Sequence, residues 1–237
     1  MNLFVISDKQ GSGKTFIISG IAATMQSLGY SVGYYKPVQT GAIKQSGFLH
    51  SDDVTYIKKI DPNLNTSVSY VFETSALPIL AAKNENTEIQ PQVILKDFLT
   101  LRKKSDIVLI EGYSGLVTPI SENIDTIDLI KAMQASLLIV VEPSRDVLEK
   151  TLLLIHYARH AGLKICGVIL NKFLVSNDLN TKNLASMIEM YSEVPVVGIV
   201  KYQTDIAPSE LIDNTLHTID IETIFGMSIP KLNNYTE

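Results

Sequence analysis

Asp8-Lys9-Gln10-Gly11-Ser12-Gly13-Lys14-Thr15 stands between an apolar run, Leu3-Phe4-Val5-Ile6, and a longer amphipathic run from Phe16 to Leu28. Strand, glycine-rich turn, Lys-Thr and helix in that order make a cradle for phosphate. The glycines let backbone N–H groups close round an oxyanion, and the helix N-terminus adds partial positive charge. Lys14 supplies a mobile ammonium, and Thr15 offers a hydroxyl to a divalent cation such as Mg²⁺. The common pattern is G-x-x-x-x-G-K-[ST]; Asp8 stands at its first glycine, and a second lysine, Lys9, precedes the glycines. Strand and helix on either side supply the context the motif needs, so the stretch is read as a nucleoside triphosphate site rather than an ordinary Gly-rich turn.

Working outward, short runs rich in Val and Ile read as strands buried on both faces, at Leu3–Ser7, Val32–Val38, Ile107–Ile110, Leu137–Val141, Ile165–Leu170 and Val196–Ile199. Helical periodicity falls between them, at Lys14–Leu28, Asp53–Ile60, Pro91–Lys103, Thr126–Met133, Asp146–His160, Asn180–Tyr191 and Ser209–Leu216. Gly29 and Gly162 are placed as helix stops. The alternation predicts an α/β fold with a mostly parallel sheet, helices on both faces, and ligands at the carboxyl ends of the strands. Residues 61–90, rich in Asn, Ser, Thr and Pro, read as a long surface excursion, and loops of that length are often lids or binding segments.

The 237 residues suit one large domain, 1–237, and 46% hydrophobic against 19% charged residues is enough for a buried core. A net charge of −5 gives no basic footprint for nucleic acid or an anionic membrane. No apolar run reaches the ~18–20 residues of a membrane span. Met1 leads into the first strand without a basic segment, which argues against a signal peptide. The single cysteine, Cys166, sits in an apolar run and reads as a core thiol, consistent with a reducing cytoplasm. The four histidines show no metal-ligand spacing, and His156 with His160 reads as a helix-surface pair.

Other strand ends carry polar residues that point to the same rim. Tyr35-Lys36-Pro37-Val38-Gln39-Thr40-Gly41 places Lys36 either as a snorkelling surface lysine or as a second cation facing phosphate or an anionic substrate, with the Thr40 hydroxyl beside it. Glu111, leaving an apolar strand before Gly112-Tyr113-Ser114-Gly115, is a metal-directed carboxylate or a surface cap. Asp52 and Asp53 follow Ser51; either serves as a helix cap, or one completes an oxygen shell with Thr15 and Glu111. Asn171 ends its strand either as an Asx-turn residue or as a partner for an adenine edge.

These pieces in this order resemble the dethiobiotin synthetase family of P-loop NTPases, a class that includes nitrogenase iron protein and the partition and division-site ATPases. The carrying stretches are Gly13-Lys14-Thr15, Tyr35 to Gly41, Ser51-Asp52, Pro78 with Ala81-Ala82, Val108 to Gly115, Thr118-Pro119-Ile120-Ser121 and Gly167 to Asn171. The resemblance implies a cytoplasmic homodimeric ligase that uses ATP and Mg²⁺ to convert 7,8-diaminopelargonate and CO₂ into a cyclic urea, dethiobiotin. It implies nucleotide contacts at Lys9, Gln10, Gly11, Ser12, Gly13, Lys14, Thr15, Phe16 and Asn171, and Mg²⁺ ligands at Thr15, Asp52 and Glu111. Lys14, Lys36 and Thr40 are the implied catalytic groups, and Lys36, Thr40, Ser114 and Gly115 the implied substrate contacts.

Departures from the family pattern are specific. Gln10 stands for a threonine, and Tyr113-Ser114 lies within the Glu-Gly-x-x-Gly stretch. Lys9 looks like the signature lysine with which partition-type ATPases reach across a dimer. Asp146 to Lys150 replaces a segment expected to meet the partner's substrate carboxylate, so Arg145 or Lys150 must offset Asp146 and Glu149 there. Gly198 to Tyr202 lacks a proline after the strand. The alternative reading is a regulatory ATPase of the partition or division-site type. Against it stand Glu111-Gly112, where those proteins place Asp and Pro, and a tail, Lys231–Glu237, without a basic amphipathic helix. A cobyrinate-type amidotransferase half is disfavoured, since Cys166 lies inside a strand and the chain has no room for a glutaminase domain.

Overall fold

The computed structural model describes residues 1–45, 47–174, 179–203 and 206–229. The tail Lys231–Glu237 lies outside the described residues. In chain order the elements are β1 (Asn2–Ser7), α1 (Lys14–Ser27), β2 (Val32–Gln39), β3 (Ile43–Gln45), β4 (Phe48–His50), α2 (Asp52–Ile60), β5 (Asn65–Val71), α3 (Pro78–Asn84) and α4 (Pro91–Arg102). There follow β6 (Ile107–Glu111), β7 (Pro119–Ser121), β8 (Ile124–Asp125), α5 (Thr126–Ala132), β9 (Ser136–Val141), α6 (Val147–His160), β10 (Ile165–Phe173), α7 (Leu179–Ser192), β11 (Val196–Lys201), α8 (Pro208–Thr218) and α9 (Ile221–Phe225).

Seven strands form one parallel sheet in the order β11-β10-β9-β1-β6-β2-β5. The inner strands are apolar on both faces because helices cover both. One face packs α1, α2 and α9 through Ile17, Ile21, Met25, Ile57 and Ile224. The other packs α3 to α7 through Ala81, Phe98, Ile130, Ile155 and Ile188. Burial on both sides is why these strands read as unbroken Val/Ile runs rather than as alternating ones. Gly29 and Gly162 close α1 and α6 with φ of 86° and 75°, a region in which a Cβ is strained.

Residues 61–90 differ from the expected surface excursion. They hold the edge strand β5, paired to β2 from Gly33–Asn65 to Gln39–Val71, and the short helix α3. An edge strand has one open side, so its sequence, Asn65-Thr66-Ser67-Val68-Ser69-Tyr70-Val71, carries polar residues that mask a strand signal. Two small hairpins, β3–β4 and β7–β8, were likewise outside the expected elements.

The topology fixes where chemistry gathers. β6 lies between β1 and β2, with Val5 opposite Glu111 and Tyr35 opposite Ile110. The carboxyl end of β6 is therefore flanked by the glycine turn after β1 and by Lys36 on β2.

Candidate active site

Gly11 and Gly13 adopt φ of 77° and 86° and turn the chain sharply into α1. A Cβ on Gly13 would sit 2.1 Å from the Asn171 amide nitrogen, so a larger residue there must displace the Asn171 side chain. That amide donates to the Ser12 carbonyl at 2.8 Å, and Lys172 donates to the Gly11 carbonyl at 2.5 Å. The end of β10 thus braces the loop through two of its carbonyls. The Ser12 hydroxyl, fully enclosed, donates to Asp8 and to the Lys9 carbonyl. Lys14 is buried, its ammonium donating to the Ser7 hydroxyl at 3.0 Å. Burial lowers the Lys14 pKa, with Glu111 acting in the opposite direction. An arriving phosphate would replace solvation that the folded chain denies this ammonium.

Next to the loop stands a charge cluster. The Thr15 hydroxyl lies 3.0 Å from both Asp53 Oδ1 and Glu111 Oε1. The Lys36 ammonium lies 2.7 Å from Asp53 Oδ2 and 2.9 Å from Glu111 Oε1. Burial alone would lower the Lys36 pKa, but Glu111 and Asp53 outweigh it and raise it. Burial alone would raise the Asp53 carboxyl, and Lys36 with Thr15 brings it below its ordinary value instead. Gln10, Gly11, Lys14, Thr15, Lys36, Thr40, Asp53 and Glu111 line one polar cavity of about 300 Å³, closed by Gln39, Ser75 and Tyr113.

Two carboxylates and a hydroxyl converging on a seat now held by an ammonium suit a hard divalent cation. Among the described residues no cluster of three His, Cys, Asp or Glu side chains gathers to hold a metal alone. A cation here would complete its shell with phosphate oxygens and water, as Mg²⁺ commonly does.

Residues 1–210 match a family model described as an AAA domain. An ATP-dependent dethiobiotin synthetase of Clostridium perfringens is 33% identical over 187 residues, which cover 76% of this chain and 82% of that protein. The chain belongs to this AAA-domain family and, within it, to the dethiobiotin synthetases. A second synthetase, from Caldicellulosiruptor bescii, is 27% identical over 236 residues, 97% of this chain and 96% of the relative. Among solved structures, the cell division ATPase MinD of Pyrococcus furiosus superposes with a TM-score of 0.58 over 96% of this chain and 99% of its own, at 17% identity. At that identity the likeness shows a shared P-loop fold, and the regulatory-ATPase alternative has no support beyond it.

The synthetase motifs fall into place unevenly. Gln10, Gly11, Gly13, Lys14, Thr15, Lys36, Thr40 and Glu111 meet in the cavity. Asp52 does not: it is exposed, and its neighbour Asp53 is the carboxylate on Thr15 and Lys36. The reason is helical geometry. Asp53 precedes the buried Ile57 by four residues and shares its inward face, whereas Asp52 is turned by a further 100° or so. Ser51 caps the helix, accepting from the Val54 N–H. The spacing from Asp53 to Ile57 was the available signal.

Phe16 lies beside the cavity, half-buried against the α1 core. Ser114 and Gly115 do not line it; the Ser114 carbonyl accepts from the Ser7 N–H at 3.3 Å. Lys9 pairs within its own chain, 3.5 Å from Glu142, which also takes Lys172 at 3.4 Å. Asp146 is neutralised by Lys150 at 2.6 Å, both exposed. Sequence reasoning missed Ser75, because it follows the unrecognised β5, and it missed Tyr34, whose hydroxyl donates to Glu111 at 2.9 Å. Cys166 is buried, its thiol pushed up to about 12 by burial, as a core residue requires.

Proposed function

We propose that the protein is an ATP-dependent dethiobiotin synthetase, converting 7,8-diaminopelargonate and CO₂ into dethiobiotin with release of ADP and phosphate. The observation that carries this reading is the meeting of Lys14, Lys36, Thr15, Asp53 and Glu111 in one cavity, in a chain of this family. One substrate amine takes up CO₂ as a carbamate. A carbamate oxygen attacks the γ-phosphorus of ATP, ADP leaves, and the second amine closes the mixed anhydride into a cyclic urea with loss of phosphate.

Carbamate and triphosphate are both anions, so the chief task is to hold them in line against repulsion. Lys14, withdrawn from solvent beside the loop, receives the β- and γ-phosphate charge. Lys36, which lines the same cavity, is the cation for the carbamate, with the Thr40 hydroxyl as a second contact. Mg²⁺, held by Thr15, Asp53 and Glu111, would neutralise charge on the phosphate oxygens. Asn171, one amide hydrogen of which is committed to the loop, is the residue assigned to the adenine edge. The reading includes a homodimer acting in the cytoplasm. The groove of about 500 Å³ between α6 and α7, with exposed Leu153 and Tyr191, offers apolar surface for a second copy. Among the described residues no helix is long and apolar enough to cross a membrane.

The test is incubation with ATP, bicarbonate and 7,8-diaminopelargonate, with mass spectrometry of the product and Lys14→Ala as control. The cyclic urea should form with the native chain, and turnover should fall by a factor on the order of 10² or more in the variant. ATP hydrolysis indifferent to the diamine, with no ureido product, rejects this function.

A further inference from the structure

Glu111 sends its two oxygens in different directions. Oε1 faces the cavity, 3.0 Å from the Thr15 hydroxyl and 2.9 Å from the Lys36 ammonium. Oε2 accepts a hydrogen bond of 2.9 Å from the hydroxyl of Tyr34, a residue with no exposed surface. Backbone register produces this contact. Tyr34 on β2 lies opposite Leu109 on β6, two residues before Glu111, so ring and carboxylate leave the sheet on the same face. The ring itself packs in the core layer beneath α1 and takes no part in lining the cavity.

We propose that Tyr34 is a positioning residue that turns Glu111 into a single-oxygen ligand and thereby favours Mg²⁺ over Ca²⁺. This rests on the reading that Thr15, Asp53 and Glu111 hold a divalent cation. Calcium takes roughly six to eight oxygens at about 2.3–2.6 Å and readily accepts both oxygens of one carboxylate. Magnesium is smaller, with near-octahedral ligands at about 2.0–2.1 Å, and takes one oxygen per carboxylate. For Glu111 to bind through both oxygens, the carboxylate must turn Oε2 from the Tyr34 hydroxyl toward the seat, which stretches or bends the one hydrogen bond of a buried phenol. The penalty falls on the larger ion alone. The restraint comes from within the core, through a side chain with no exposed surface.

The full chain is titrated calorimetrically with ADP in the presence of Mg²⁺ or Ca²⁺, comparing wild type with Tyr34→Phe. Loss of a hydrogen-bond partner behind a metal ligand is expected to weaken Mg²⁺-supported binding about tenfold. Ca²⁺-supported binding should fall less, so that the Mg²⁺/Ca²⁺ preference shrinks, a change that general loosening of the core would not produce. A preference equal to the wild type's, in a variant that melts cooperatively, overturns the proposal. ADP binding to the wild type that ignores both ions overturns the cation reading itself, and the positioning role with it. Phenylalanine keeps the ring volume. Should it still prevent folding, 3-fluorotyrosine at position 34 retains the hydroxyl, and its ¹⁹F resonance should move further with Ca²⁺–ADP than with Mg²⁺–ADP. Equal displacements overturn the proposal.

Discussion

Replacing Lys36 by methionine removes the ammonium between Asp53 and Glu111 while keeping much of the stem. Both carboxylates accept from the Thr15 hydroxyl at 3.0 Å. Their bonded oxygens are therefore at most ~6 Å apart, where two unit charges repel by about 3 kcal/mol at an effective dielectric of ~20. In the wild type Lys36, at 2.7 and 2.9 Å, offsets that repulsion. The variant leaves it uncompensated, so it is expected to lose about 3 kcal/mol, or roughly 6–12 °C of melting temperature for a chain of this size. A divalent cation can take the vacated position. Mg²⁺ without nucleotide should then restore much of the loss in Lys36→Met and do little for the wild type, which must first release its own ammonium. If the whole 3 kcal/mol returns, free Mg²⁺ stands about 100-fold above the variant's dissociation constant. Thermal melts with and without MgCl₂, backed by calorimetric titration, measure both quantities. A variant as stable as the wild type, or one whose melting ignores Mg²⁺, refutes the electrostatic account of the seat.

Two further substitutions probe the cradle and the cluster. Gly13→Ala places a Cβ against the Asn171 amide at 2.1 Å and at a φ of 86°; it is expected to weaken ADP binding at least tenfold, and Gly13→Ala with Asn171→Ala should recover only part, because backbone strain of about 1–3 kcal/mol persists. Wild-type affinity in the single variant would falsify the packing argument. Asp53 has a folded pKa below its unfolded value, so its contribution to stability is present above ~pH 4 and is lost as pH falls through the folded value. Urea melts from ~pH 6 to ~pH 3 should therefore show the gap between wild type and Asp53→Asn closing on the acid side, and a gap independent of pH counts against the Lys36–Asp53 pair.

Legibility followed burial. β1, β6, β9 and β10 announced themselves because both faces are covered and Val, Ile and Leu run through them without a break. The edge strand β5 stayed hidden because six of its seven residues are half-buried and one is exposed, a pattern that local sequence shares with loops. Thr15, Lys36 and Glu111 were legible as site residues. A charged or polar group that ends a buried strand, or opens a helix after glycines, costs desolvation unless a partner or a ligand meets it. The choice between Asp52 and Asp53 was not legible, because adjacent carboxylates differ only in the face of α2 they occupy, and docking of Ile57 selects that face. Tyr34 read as one more apolar strand residue; its polar role exists only through the pairing of β2 with β6.

By itself the sequence determined the alternation of buried strands and helices, the phosphate cradle at Gly11–Thr15, and the cations and carboxylate brought to one rim, since each is written in contiguous residues. Tertiary structure decided which carboxylate reaches Thr15, that Lys36 bridges Asp53 and Glu111, that Asn171 and Lys172 brace the loop, and that Tyr34 holds the far oxygen of Glu111. Those contacts join residues 17 to 161 positions apart. Strand order, which no local pattern encodes, is the physical agent that brings them together.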